Sequence, residues 1–76
     1  IHRDVDLYAT VLGDGESARH TFRAGRAGWL QVARGTARVN DVQLYPGDGV
    51  AIEATDDVAI TGTSADAEVL LFDIAA

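Results

Sequence analysis

His20 is the residue of this chain best suited to chemistry. It stands in Arg19-His20-Thr21, with Asp14 and Glu16 a few positions before it. An imidazole beside carboxylates can serve as a general base or a metal ligand, because it titrates near neutrality and offers a nitrogen lone pair. The plainer role is a histidine on a solvated strand face or packed at a barrel mouth. A lone histidine without a second ligand in fixed position favours that role. The other histidine, His2, stands at the start of the chain. Trp29, the single tryptophan, could stack on a flat ligand, with Tyr8 or Phe22 beside it and an arginine such as Arg26 fixing its orientation. The same aromatics also suit core or interface packing. Arg23, Arg26 and Arg34 could hold an anion, or pair with surface acids.

Other chemistries find no support. There are no cysteines, which excludes a disulfide framework, a thiolate nucleophile, an iron–sulfur cluster and a cysteine-held zinc. Asp48 and Asp56-Asp57 fall in turns, where aspartate caps backbone amides. No pair of acids is set up for glycoside hydrolysis, which needs two carboxyls across a cleft. Ser17 and Ser64 are loop residues. Gly25-Arg26-Ala27-Gly28 lacks the Lys-Ser/Thr and the following helix of a phosphate loop.

The elements that must position these residues are strands. Residues 5–12 are rich in β-branched and aromatic side chains, and Gly13-Asp14-Gly15 ends them. Further strands are expected at 18–22, 29–34, 36–39, 42–45, 49–53, 58–61 and 69–74. Residues 23–28 and 62–66 read as loops, and 55–57 as a turn. Asn40-Asp41 marks a tight hairpin, since both residues tolerate positive φ better than most. The strand at 69–74 is apolar on nearly both sides and so belongs at the centre of a sheet. No segment carries a helical apolar stripe. Seven or eight short strands with Gly- and Asp-rich turns define an all-β fold, an antiparallel barrel or sandwich.

Length and charge set the remaining bounds. Seventy-six residues make one small domain with a thin core. The net charge of −6 opposes nucleic-acid binding. No apolar run approaches the roughly 20 residues of a membrane-spanning helix, and there is no signal-peptide pattern, so a cytoplasmic location is expected. The chain begins at Ile1 and contains no methionine, which suggests a piece of a longer protein. Arginine without lysine suggests a GC-rich bacterial gene. A hydrophobic content of 47% in so small a domain predicts apolar surface outside the core. Such surface marks an interface, and it would favour self-association of the isolated chain, as would open edge strands.

Taken in order, several runs resemble a known family. They are Asp4-Val5-Asp6-Leu7-Tyr8-Ala9, Gly15-Glu16, Gly25-Arg26 and Trp29-Leu30-Gln31-Val32-Ala33-Arg34-Gly35, followed by Val39-Asn40-Asp41, Leu44-Tyr45-Pro46-Gly47-Asp48-Gly49-Val50-Ala51-Ile52 and Ala67-Glu68-Val69-Leu70-Leu71-Phe72-Asp73. Together they resemble the C-terminal cupin domain of pirin-like bicupins, the group that includes bacterial quercetin 2,3-dioxygenases. The resemblance implies a jelly-roll cupin barrel over residues 1–76, the C-terminal half of a two-cupin protein. Cupins often hold a divalent metal with three histidines and a glutamate. By that likeness His20 stands near the first histidine position, Phe22 at the second, Gly28 at the glutamate and Val58 near the last histidine. At most one ligand survives, so the resemblance implies no metal and no cofactor here. A divalent transition metal is expected in the N-terminal cupin of the parent, with this domain packed against it in support. On this reading the segment alone is not an enzyme, while its parent is a candidate metal-dependent dioxygenase. Two other functions compete: a small-ligand-binding barrel using Trp29, Tyr8 or Phe22, and a metal-dependent enzyme using His20 with Glu16 or Asp48.

Overall fold

The structure is a computed structural model that describes residues 5–53 and 57–75. Eight strands are present: β1 (Val5–Leu12), β2 (Ser17–Thr21), β3 (Arg26–Arg34), β4 (Ala37–Val39), β5 (Val42–Leu44), β6 (Gly49–Ile52), β7 (Asp57–Gly62) and β8 (Ala67–Ala75). They form two antiparallel four-stranded sheets in the orders β1-β8-β3-β6 and β2-β7-β4-β5. Apart from the β4–β5 hairpin, neighbours in each sheet are distant in sequence because the chain crosses between the sheets. This is the double-sheet jelly roll, a sandwich with the core between the layers.

Alternation along each strand selects the residues that enter the core. In β3, Leu30 and Val32 are fully buried; in β8, Val69 and Leu71 are buried; Val58 and Ile60 close the layer from β7. Those strands bury every second residue, as the two-residue period of a half-buried strand requires. As expected from its composition, β8 is central, paired with β1 on one side and β3 on the other. The Asn40-Asp41 hairpin also forms as expected. Val39 pairs directly with Val42, and Asn40 takes a φ of 51°. The Asn40 amide donates to the Ala59 carbonyl, and its side-chain oxygen accepts from the Ala59 amide, tying the hairpin to β7.

Two expectations about local structure need correction. Residues 26–28 are not loop but the first turn of pairing in β3, where Arg26 lies opposite Ala75 and Gly28 opposite Asp73. Pairing with β8 overrides the breaking tendency of Gly25 and Gly28, because ladder hydrogen bonds and burial outweigh weak local propensity. Asp57 opens β7 rather than ending a turn. Thr55 and Asp56, the rest of that expected turn, lie outside the described residues, as does His2.

Candidate functional site

A buried ion-pair network lies between the sheets at the end of the sandwich where β8 finishes. Its centre is Asp73, which follows Val69 and Leu71 on the inward face of β8 and is 3% exposed. Arg26 enters from the start of β3 and is 5% exposed. Its Nε donates to Asp73 Oδ1 at 2.6 Å, and its Nη2 donates to the Asp73 carbonyl at 2.9 Å. His20 on β2 reaches Asp73 Oδ2 with Nε2 at 2.7 Å. A carboxylate only accepts, so Nε2 carries the imidazole proton. Asp6 on β1 sits at the edge of the group, with Oδ2 3.4 Å from Arg26 Nη2 and 3.9 Å from Arg23 Nη2. Three strands from both sheets are thus joined through the Asp73 carboxylate, and β1 joins through the contact of Asp6 with Arg26.

The electrostatics of Asp73 follow from competing effects. Burial acts to raise its pKa, the largest single influence, but the hydrogen bonds from Arg26 and His20 together with their charges outweigh it and hold the carboxyl below its ordinary value of 3.8. A carboxyl depressed in the folded state stabilises the fold above its unfolded pKa. That contribution is lost as pH falls from about 4 through the lower folded value. Chemical denaturation between pH 5 and pH 2 is therefore expected to show a steep acid loss in the native protein. An Arg26→Met, Asp73→Leu double variant should lack that part of the slope.

Aromatic packing surrounds the imidazole. The ring of His20 lies 4.8 Å from that of Tyr8, tilted by 50°, and 4.8 Å from Phe22 in an edge contact at 83°. Phe22 is buried, and its ring occupies the space beside Gly28 that a side chain would fill. A Cβ on Gly28 would approach Phe22 Cε1 to 2.8 Å and Ile52 Cβ to 3.3 Å. Gly28→Ala is expected to destabilise the fold by about 1–3 kcal/mol, because the phenyl ring must leave its rotamer to make room. Urea denaturation read by Trp29 fluorescence measures this.

The structure brings some of the expected residues together and separates others. His20, Phe22, Gly28 and Val58 do converge: His20 pairs with Val58 across β2 and β7, touches Phe22, and Phe22 covers Gly28. Tyr8 joins them at the mouth. Trp29 does not; it projects from the outer face of the first sheet, with its ring over Gly49 and its indole N–H donating to Gln31 Oε1 at 3.2 Å. Arg26, expected near the surface, is sealed inside. Glu16 and Asp48, weighed as partners of His20, belong to turns: Glu16 Oε1 accepts from the Gly13 amide and Asp48 Oδ2 from the Tyr45 amide. Asp73 is the partner that sequence reasoning missed. The signal was available, since an acid at an inward position of an apolar strand is costly unless it is paired.

This architecture defines a class before it defines a family: a jelly-roll barrel of the cupin type. The chain belongs to the quercetinase C-terminal cupin domain family, whose model matches residues 1–74. It is 38% identical over 74 residues to quercetin 2,3-dioxygenase of Escherichia coli strain K12, covering 97% of this chain and 32% of that protein. Bacterial pirin YhhW from Escherichia coli, solved in complex with nickel(II), superposes with a TM-score of 0.90 at 37% identity, over 99% of this chain and 32% of that one. The cupin domain of an XRE-family transcriptional regulator from Enterobacter cloacae shares the fold alone, with a TM-score of 0.79 at 20% identity over 91% of this chain and 79% of that one. The chain thus spans about a third of the length of the curated relatives it matches.

Cupin folds often carry a metal, but the residues at the convergent positions do not fit one. Of the four, only His20 can ligate, and its Nε2 is committed to Asp73. Phe22 and Val58 contribute hydrocarbon, and Gly28 contributes nothing. The nearby Arg26 guanidinium already supplies the positive charge that the Asp73 carboxylate requires. Among the described residues no group of three His, Cys, Asp or Glu side chains is placed to hold a metal.

Proposed function

We propose that this domain is the non-catalytic half of a two-cupin protein and that it supports a metal-binding N-terminal cupin by packing against it. The observation that carries this reading is the inverted pattern of β1. Tyr8 and Leu12 apart, its large apolar residues point outward: Val5, Leu7 and Val11 are 43%, 57% and 55% exposed, while Asp6 and Thr10 occupy alternate, more sheltered positions. The register extends this surface across the sheet. Leu7 lies beside Phe72, Phe72 beside Trp29, and Trp29 beside Ala51, while Val5, Ile74 and Ala27 form the neighbouring row. A contiguous apolar face of this kind on a small acidic domain favours a macromolecular interface. The parent's activity, on the likeness to quercetin 2,3-dioxygenase, is oxygenation of a flavonol at a metal in the other cupin.

The test of the metal-free assignment is elemental analysis of the chain after dialysis against iron, nickel, copper, manganese and zinc. Less than a tenth of an equivalent is expected by rough standards of site occupancy. One equivalent that disappears in a His20→Ala variant would overturn the assignment and make this barrel a metal centre.

A further inference from the structure

The sandwich is open along one seam, where β1 and β2 are the edge strands of their sheets. A cavity of about 110 Å³ lies in that seam, open to one side. Ala18, Ile60, Val69 and Leu71 give it apolar walls, and Tyr8, Thr10 and His20 bring polar atoms to it. Arg19 borders it through its backbone, because alternation along β2 turns the Arg19 side chain outward while Ala18 and His20 face inward. With His20 neutral, the lining carries no charge. The cavity is distinct from the outer face of the first sheet, because Tyr8 alternates with Leu7 along β1.

We propose that this seam binds a small neutral molecule with an apolar body and one hydroxyl, the body against the aliphatic walls and the hydroxyl donating to His20 Nδ1. Hydrogen-bond complementarity is the first argument. His20 Nε2 donates to Asp73 Oδ2 at 2.7 Å, which leaves Nδ1 an acceptor with a lone pair. Nδ1 meets no donor among the described residues, and no buried side-chain nitrogen or oxygen among them lacks a partner, so Nδ1 is open to an incoming group. The ring sets Nδ1 on the edge away from Nε2, and Asp73 does not border the cavity. The acceptor is also held still, by Asp73 and by the Tyr8 and Phe22 rings at 4.8 Å on either contact. A fixed acceptor reduces the ordering that binding costs. The second argument is exclusion of charge. An anion would face the Nδ1 lone pair, and a cation would lose its hydration against aliphatic walls with no carboxylate in reach. The third is size. A closed apolar cavity of roughly 150 Å³ takes a benzene molecule. This one, at 110 Å³ and open to one side, takes a single ring that is not wholly enclosed. The site does not depend on the packing role proposed above.

Phenol is the probe, titrated into the full chain and followed by amide and imidazole nitrogen chemical shifts. Benzonitrile, a polar ring that accepts but cannot donate, is titrated in parallel. Saturable shifts at Ala18, His20, Ile60 and Leu71 are expected, with a phenol dissociation constant on the order of 1 mM for so small a ligand. Benzonitrile should bind about fivefold more weakly or worse, since it leaves the acceptor unsatisfied. The imidazole spectrum should show the proton on Nε2 before and after binding, with the Nδ1 signal moving as phenol saturates. His20→Phe, which keeps a ring and removes the acceptor, should erase the preference for phenol, and Ala18→Leu should abolish binding by filling the cavity. If either variant fails to fold, the two ligands and the Nδ1 signal of the native chain decide. Absence of saturable shifts, shifts confined to the outer face around Trp29, benzonitrile binding as tightly as phenol, or a proton resident on Nδ1 would overturn the proposal.

Discussion

Replacing Asp73 by alanine is expected to remove about 3–5 kcal/mol of folding stability, because it takes from a buried guanidinium the carboxylate that it holds at 2.6 Å. A domain of this length holds roughly 4–11 kcal/mol in total, so the variant should lose a large share of its stability and melt well below the native chain. The loss is greater than the deleted contacts alone would suggest. Arg26 is 5% exposed, and its Nε would lose the acceptor Oδ1 that it holds at 2.6 Å. His20 would lose the acceptor that orients its ring. The paired replacement Arg26→Met with Asp73→Leu should recover most of the stability, since apolar side chains of similar volume avoid the desolvation of both charges. Thermal and urea denaturation of the native chain, the single variant and the double variant distinguish these outcomes. A single variant within about 1 kcal/mol of native would show that the network contributes little.

The second large effect concerns the outer face. Leu7→Lys is expected to weaken association with the N-terminal cupin by 2 kcal/mol or more, roughly thirtyfold, by placing an ammonium in a dry apolar contact. The isolated domain should change by only about 0.5 kcal/mol, because Leu7 is an exposed edge-strand residue. Its self-association should fall, since a lysine on an edge strand discourages pairing between copies. Mixing the separately produced halves and measuring binding by calorimetry gives the first quantity, and sedimentation of the isolated domain gives the last. Unchanged affinity would remove this face from the interface and with it the main support for the packing role.

Much of the architecture was legible because strands and turns announce themselves locally. The alternation in residues 29–34, the Asn40-Asp41 turn and the apolar run at 69–74 each predicted an element that the fold contains. The start of β3 was not legible. Two glycines around Arg26 signal a loop, and only the ladder to β8 converts that segment to strand. The site shows the same division. Aromatic residues and His20 drew attention by type, yet their company depended on which strands became neighbours. Trp29 illustrates the point: its parity in β3 sends it outward, opposite to Leu30, which no property of tryptophan could reveal.

By itself the sequence determined the class of fold and the surplus of apolar surface. These follow from residue type and two-residue periodicity, which act over a few positions. The tertiary structure alone decided that Asp73 meets His20 and Arg26, across 53 and 47 residues of chain. It also decided that Val5, Leu7, Val11 and Trp29 share one face of one sheet. Both outcomes depend on strand order and register, and those are set by the packing of two complete sheets rather than by any local pattern.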